Sequence, residues 1–149
     1  MIAFEISVHA RPAGTQPGPD LIEGRGRWPT LAPAPDSPAA LPVGGDECLQ
    51  RLGSLPRLFV EPDGSFVWVG RSDAGAWQVD GQVHERDGRV LSVDLKGLCP
   101  GPEFDRLLAA LGWPARPVMM QILRAGVFLD ENAFREHAGA VFHGMRSGG

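Results

Sequence analysis

RLFVEPDGSFVWVGRSDAGAWQVDGQVHERDGRVLSVDLKG, residues 57–97, decides how this chain is read. It predicts two successive β-hairpins. In the second, Trp77, Val79, Gly81 and Val83 alternate with Gln78, Asp80, Gln82 and His84. Beyond Arg86-Asp87-Gly88, the run Val90 to Lys96 alternates again. Period-two patterning means strands with one apolar and one polar face. An Asp87-Gly88 loop alone would set His84 opposite Leu91 and Val83 opposite Ser92, mixing the faces. A longer loop, Arg86 to Gly88 with the glycine left-handed, sets Val83 opposite Leu91, Gly81 opposite Val93 and Val79 opposite Leu95. Face consistency selects that register.

The first hairpin uses Pro62-Asp63-Gly64 between Leu58–Glu61 and Ser65–Val69. Proline presets the turn and glycine takes the positive φ. Both faces of this pair are apolar, which predicts a place in the middle of a sheet covered on both sides. A short polar link, Gly70 to Gly75, joins the two hairpins as neighbours.

Outward from this centre, Ile2, Phe4, Ile6 and Val8 alternate with Ala3, Glu5, Ser7 and His9. Residues 1–9 therefore predict a strand, at the edge or closing the sheet. Residues 10–45 carry prolines at 12, 17, 19, 29, 33, 35, 38 and 42, with glycines between them. This composition predicts a long Pro/Gly-rich loop, partly disordered. Leu21, Ile22 and Trp28 interrupt it, either pinning the loop to the body or forming a partner contact.

The body spans 46–143, with 1–149 read as one domain. Asp46 predicts an N-cap for a helix over 47–52. Residues 97–101 read as a loop. Pro102, acidic Glu103 and Asp105, and the stripe Phe104, Leu107, Leu108, Leu111 mark a helix that Gly112 ends. It is expected to cover Val79, Val83, Leu91, Val93 and Leu95. Residues 117–124 and 126–129 predict a strand pair, and Asp130 caps a last helix. Residues 144–149 predict a flexible tail.

The 149 residues hold 43% hydrophobic and 21% charged residues, ordinary for a globular chain. A net charge of −4 argues against nucleic acid or an anionic membrane as partner. Lys96 is the only lysine, and the Arg, Ala, Gly and Pro load suggests a GC-rich coding sequence. Cys48 and Cys99 have no CxxC spacing and read as free thiols. With no long apolar run or basic leader, the expectation is a cytoplasmic location.

The predicted register places Asp80 opposite Asp94. Facing carboxylates repel, and such a cost can mark a cation site or an acid–base dyad. Asp80, Gln82, His84 and Asp94 are therefore the candidate ligand-binding residues, against the plain reading of a water-facing surface. Cys99 stands before a helix start, which can activate a thiol, but no base is tied to it and a buried cysteine is the simpler reading. His9 reads as solvated. Glu136, His137 and His143 match no ligand spacing, and no metal or cofactor is expected. No Walker loop, GxGxxG, GxSxG or HExxH is present.

The fold class read from these patterns is α+β: an antiparallel sheet built on two hairpins, two or three helices packed on it, and a long N-terminal loop. The function read is a non-catalytic binding or protein-interaction module of a soluble bacterial protein, with another protein as partner. The alternative is a small enzyme or ligand-binding protein using Asp80, Gln82, His84 and Asp94.

Overall fold

The computed structural model of the chain describes residues 1–34 and 39–147. In chain order the elements are β1 (Ile2–Ala10), β2 (Gln16–Glu23), β3 (Gly26–Ala32), α1 (Gly45–Gly53), β4 (Leu58–Val60), β5 (Ser65–Ser72), β6 (Gly75–Arg86), β7 (Arg89–Cys99), α2 (Gly101–Ala110), β8 (Val118–Ile122), β9 (Val127–Asp130) and α3 (Glu131–Ser147). Among the described residues the strands form one nine-stranded antiparallel sheet, ordered β2-β3-β9-β8-β1-β7-β6-β5-β4.

The period-two pattern of β1 decides which face carries the helices. Phe4 meets Phe104 of α2 with ring centroids 5.2 Å apart and Phe134 of α3 at 6.1 Å. Ile6, Val8, Val79, Val83, Val93 and Leu95 share that covered face and are buried. Each such side chain contributes roughly 1.5–3 kcal/mol by leaving water. In α2, Phe104, Leu107, Leu108 and Leu111 are all buried, as their spacing predicts. Its end follows from Gly112, at φ +100°. There Trp113 N–H donates to Leu108 C=O and Gly112 N–H to Ala109 C=O, both at 3.1 Å. Those two bonds are the Schellman pattern that a left-handed glycine permits. Asp130 caps α3 as expected, its Oδ1 accepting from Ala133 N–H at 2.7 Å.

Several expectations are corrected. The largest is the long N-terminal loop: within residues 10–45, β2 and β3 form a hairpin at the sheet's edge. Pro19 and Pro29 survive because Pro19 and Asp20 stand against Pro29 alone, at a bulge where the ladder is already interrupted, and Pro17, paired with Leu31, lies on the edge strand. Pro35 and Pro38 of the expected loop lie outside the described residues. β1 is an inner strand, between β7 and β8. The first hairpin lies at the opposite edge, with β4 outermost, so its second apolar face is left open. Phe59 there is 62% exposed. Gly44, not Asp46, stands at the N-cap of α1. Strand β7 runs on to Cys99, which pairs with Ile2, where a loop is expected from Gly97. The expected tail is helical through Ser147, and Gly148 and Gly149 lie outside the described residues.

The register of the second hairpin is also corrected. Val83 pairs with Val93, Gly81 with Leu95, and Val79 with Gly97. The turn is the tight Asp87-Gly88 one, with φ +53° and +77°. Positive φ at both positions defines the I′ turn that Asp-Gly favours. One extra residue, Leu91, is then inserted between the pairs Glu85↔Val90 and His84↔Ser92. That bulge restores the face alternation, so a short loop and consistent faces coexist. Val83 and Leu91 part company: Val83 is buried and Leu91 is 42% exposed.

Candidate binding surface on the helix-free sheet face

Residues directly opposite in a ladder share a face. The row Phe59, Val67, Asp80, Lys96, Glu5 runs across β4, β5, β6, β7 and β1. Glu5 alternates with Phe4, so this row stands on the side away from α2 and α3. A second row, Ser65, Gln82, Asp94, Ser7, Gln121, Phe128, Leu31, crosses the same face.

All four expected ligand-binding residues lie on this face, but not in the expected arrangement. Asp80 pairs with Lys96, and Asp94 with Gln82. The facing carboxylates are therefore not formed, because the one-residue bulge shifts β7 against β6. Asp80 instead accepts from Gln78 Nε2 at 3.0 Å. His84 Nε2 lies 2.8 Å from Asp94 Oδ2, with both side chains close to half exposed. Gln82 Nε2 donates to Asp63 C=O at 2.9 Å, which fastens β6 to the first hairpin turn.

His9 is not solvated as expected. Its Nε2 is covered and has no hydrogen-bond partner among the described residues. Its ring stands edge-on to Phe128, with centroids 5.4 Å apart. Burial lowers its pKa from the ordinary histidine value; the Asp94 charge opposes this and the His84 charge adds to it.

The three apolar residues of the expected loop separate. Trp28 is 8% exposed and stands edge-on to buried His137, with ring centroids 4.9 Å apart. Leu21, opposite Trp28, packs against the same core. Both pin the β2–β3 hairpin and present little surface to a partner. Ile22, on the other side of the hairpin, is 62% exposed. Beside it, Glu23 accepts from Arg124 at 2.6 Å and lies 3.4 Å from His137 Nε2.

Cys48 and Cys99 are free and buried. Burial pushes their thiols up to about 11 and about 12 respectively, which suits packing and not nucleophilic attack. Among the described residues, no three His, Cys, Asp or Glu side chains gather to hold a metal ion. No described helix is long and apolar enough to cross a membrane.

Apart from Ile22, sequence reasoning missed the open apolar positions. Leu123 N–H donates to Glu5 C=O at 3.2 Å, extending the β8–β1 ladder and placing Leu123 on Glu5's face, where it is 43% exposed. The signal was in the alternation Met119, Gln121, Leu123, which needed only the knowledge of which side the helices take. A comparison of the chain with protein-family models, with curated proteins and with solved structures finds no match to any of them.

Proposed function

We propose that the chain is a non-catalytic binding protein that takes a protein partner on the helix-free face of its sheet. One observation supports this above the others. Among the described residues, the exposed large hydrophobics are Ile22, Phe59, Leu91, Leu123 and Met145. The first four stand on the helix-free side, and only Met145 belongs to a helix. Single exposed apolar residues are ordinary; what supports a contact surface is that four of the five share the one face no helix covers. Phe59 and Leu123 would act as anchors, each contributing on the order of 1.5–3 kcal/mol when covered. Polar residues of the same face, His84, Asp94, Asp80 and Gln82, would set orientation through hydrogen bonds.

The test is affinity capture from extract of the cells that make the protein, using the unaltered chain and a Phe59→Asp/Leu123→Asp variant. Both positions are exposed, so circular dichroism should report an unchanged fold. A partner held by the unaltered chain and at least tenfold weaker on the variant is the expected result. Equal capture by both, or capture by neither, overturns the reading.

A further inference from the structure

A different part of the molecule carries a separate inference. At one end of the sheet lies an open cleft of about 800 Å³. Its walls come from the end of β1, the segment leading into α1, the β6–β7 turn and the approach to β8. Arg11, Arg89 and Arg116 all line it. Arg11 is half-buried, and its backbone N–H donates to Pro117 C=O at 3.1 Å, which sets it beside Arg116. Arg89 opens β7, the strand on the other side of β1. Three arginines from three distant parts of the chain thus line one cleft.

The grouping is notable because acids are in excess. The chain has 18 Asp and Glu against 14 Lys and Arg. Yet among the described residues none of these three arginines has an ion-pair or side-chain hydrogen-bond partner. The one acid lining the cleft, Glu47, is already engaged by Arg51. The nearby start of α1 is also occupied: a Cβ on Gly45 would meet the Glu85 carboxylate, so that carboxylate lies against the helix's first turn. Like charges placed together repel, and an overall acidic chain could have neutralised them locally. Guanidinium groups are the side chains best suited to planar, paired recognition of carboxylate or phosphate oxygens.

We propose that this cleft binds a small polyanion, a phosphate-type or polycarboxylate ligand, through Arg11, Arg89 and Arg116. The site is independent of the partner reading above, since it lies at the strand ends and not on Phe59 or Leu123. The test uses pyrophosphate and citrate as probes on the full chain, at fixed ionic strength with sodium chloride as the control. Matched salt matters because exposed charges are screened over about 10 Å. Either probe should raise Tm by about 5 °C or more at a hundredfold excess over Kd. Response to pyrophosphate alone assigns a phosphate-type ligand, and response to citrate alone a carboxylate; both outcomes support the site. Arg89→Ala and Arg116→Ala should each weaken binding about tenfold by calorimetry. Arg25→Ala, in the exposed β2–β3 turn, should leave it unchanged. No rise beyond the chloride control, unaltered affinity in Arg89→Ala and Arg116→Ala, or equal weakening by Arg25→Ala overturns the proposal.

Discussion

The β2–β3 and β6–β7 ribbons are the same kind of part, two antiparallel strands and a tight turn, held by different means. The β6–β7 ribbon is internal and shares long ladders with β5 and β1. The β2–β3 ribbon sits at an edge, carries a bulge among its prolines, and pairs with β9 at Leu31↔Phe128. What it lacks in ladder it recovers through side chains: Trp28 on His137, and Glu23 with Arg124. A hairpin can thus be placed by backbone pairing or by a few anchors. The second kind should come away first.

The largest test of that difference is Trp68→Ala. Trp68 is 1% exposed, meets Trp77 edge-on with centroids 5.0 Å apart, and donates from Nε1 to Pro56 C=O at 2.8 Å. Removing it should cost about 3–5 kcal/mol in denaturant titration, because it sits in the ladder-bound half and has no local way to detach. Trp28→Ala removes a ring of the same size from the anchored ribbon. Its cost to global stability should be smaller, about 2–3 kcal/mol. Amide exchange should accelerate over residues 16–32 and leave β6 and β7 protected. Uniform acceleration across the sheet would show that both ribbons belong to one cooperative unit. Asp130→Ala should cost about 1 kcal/mol by loosening the start of α3, the helix that carries His137.

The smallest effect is in the pH dependence. Burial raises the Glu23 carboxyl, but the hydrogen bond and charge of Arg124, with His137, outweigh it and hold the group below its ordinary 4.5. A lowered carboxylate contributes stability above its ordinary pKa and loses it as pH falls through the folded value. Arg124→Ala should therefore flatten the acid limb of a stability–pH curve below about pH 4.5. His9 acts in a higher window. Burial holds it below 6.5, Asp94 opposing and His84 assisting, so the folded chain binds fewer protons there than the unfolded one. Stability from this group is intact above 6.5 and declines as pH falls from there. His9→Gln should remove that decline, and an unchanged curve would show that the covered ring does not titrate apart from its neighbours.

The strands of the ladder-bound half were legible in the sequence, but not their register or their order in the sheet, and the β2–β3 ribbon was not legible at all, for a physical reason. Alternation, Pro62-Asp63-Gly64 and the stripe from Phe104 to Leu111 are local signals, and each appears as read. Pro17, Pro19 and Pro29 are local signals against a strand, overridden by Trp28 reaching His137 more than a hundred residues away. The register error has a different, local origin. A bulge at Leu91 costs one unpaired residue and leaves no mark in composition, so a face argument alone chose the wrong loop. Of the candidate site, Asp80, Gln82, His84 and Asp94 were placed on the right face with the wrong neighbours. The cleft arginines, at positions 11, 89 and 116, carry no spacing signal at all.

The position of β1 has a consequence for how the chain matures on the ribosome. Its ladder partners, β7 and β8, are translated some ninety and more residues later, whereas β4 to β7 can zip together as they emerge. Ile2, Phe4, Ile6 and Val8 have no ladder partner until β7 and β8 have emerged. A nascent strand of that kind is what holding chaperones shelter, and slowing elongation near the start of β7 would prolong the vulnerable interval.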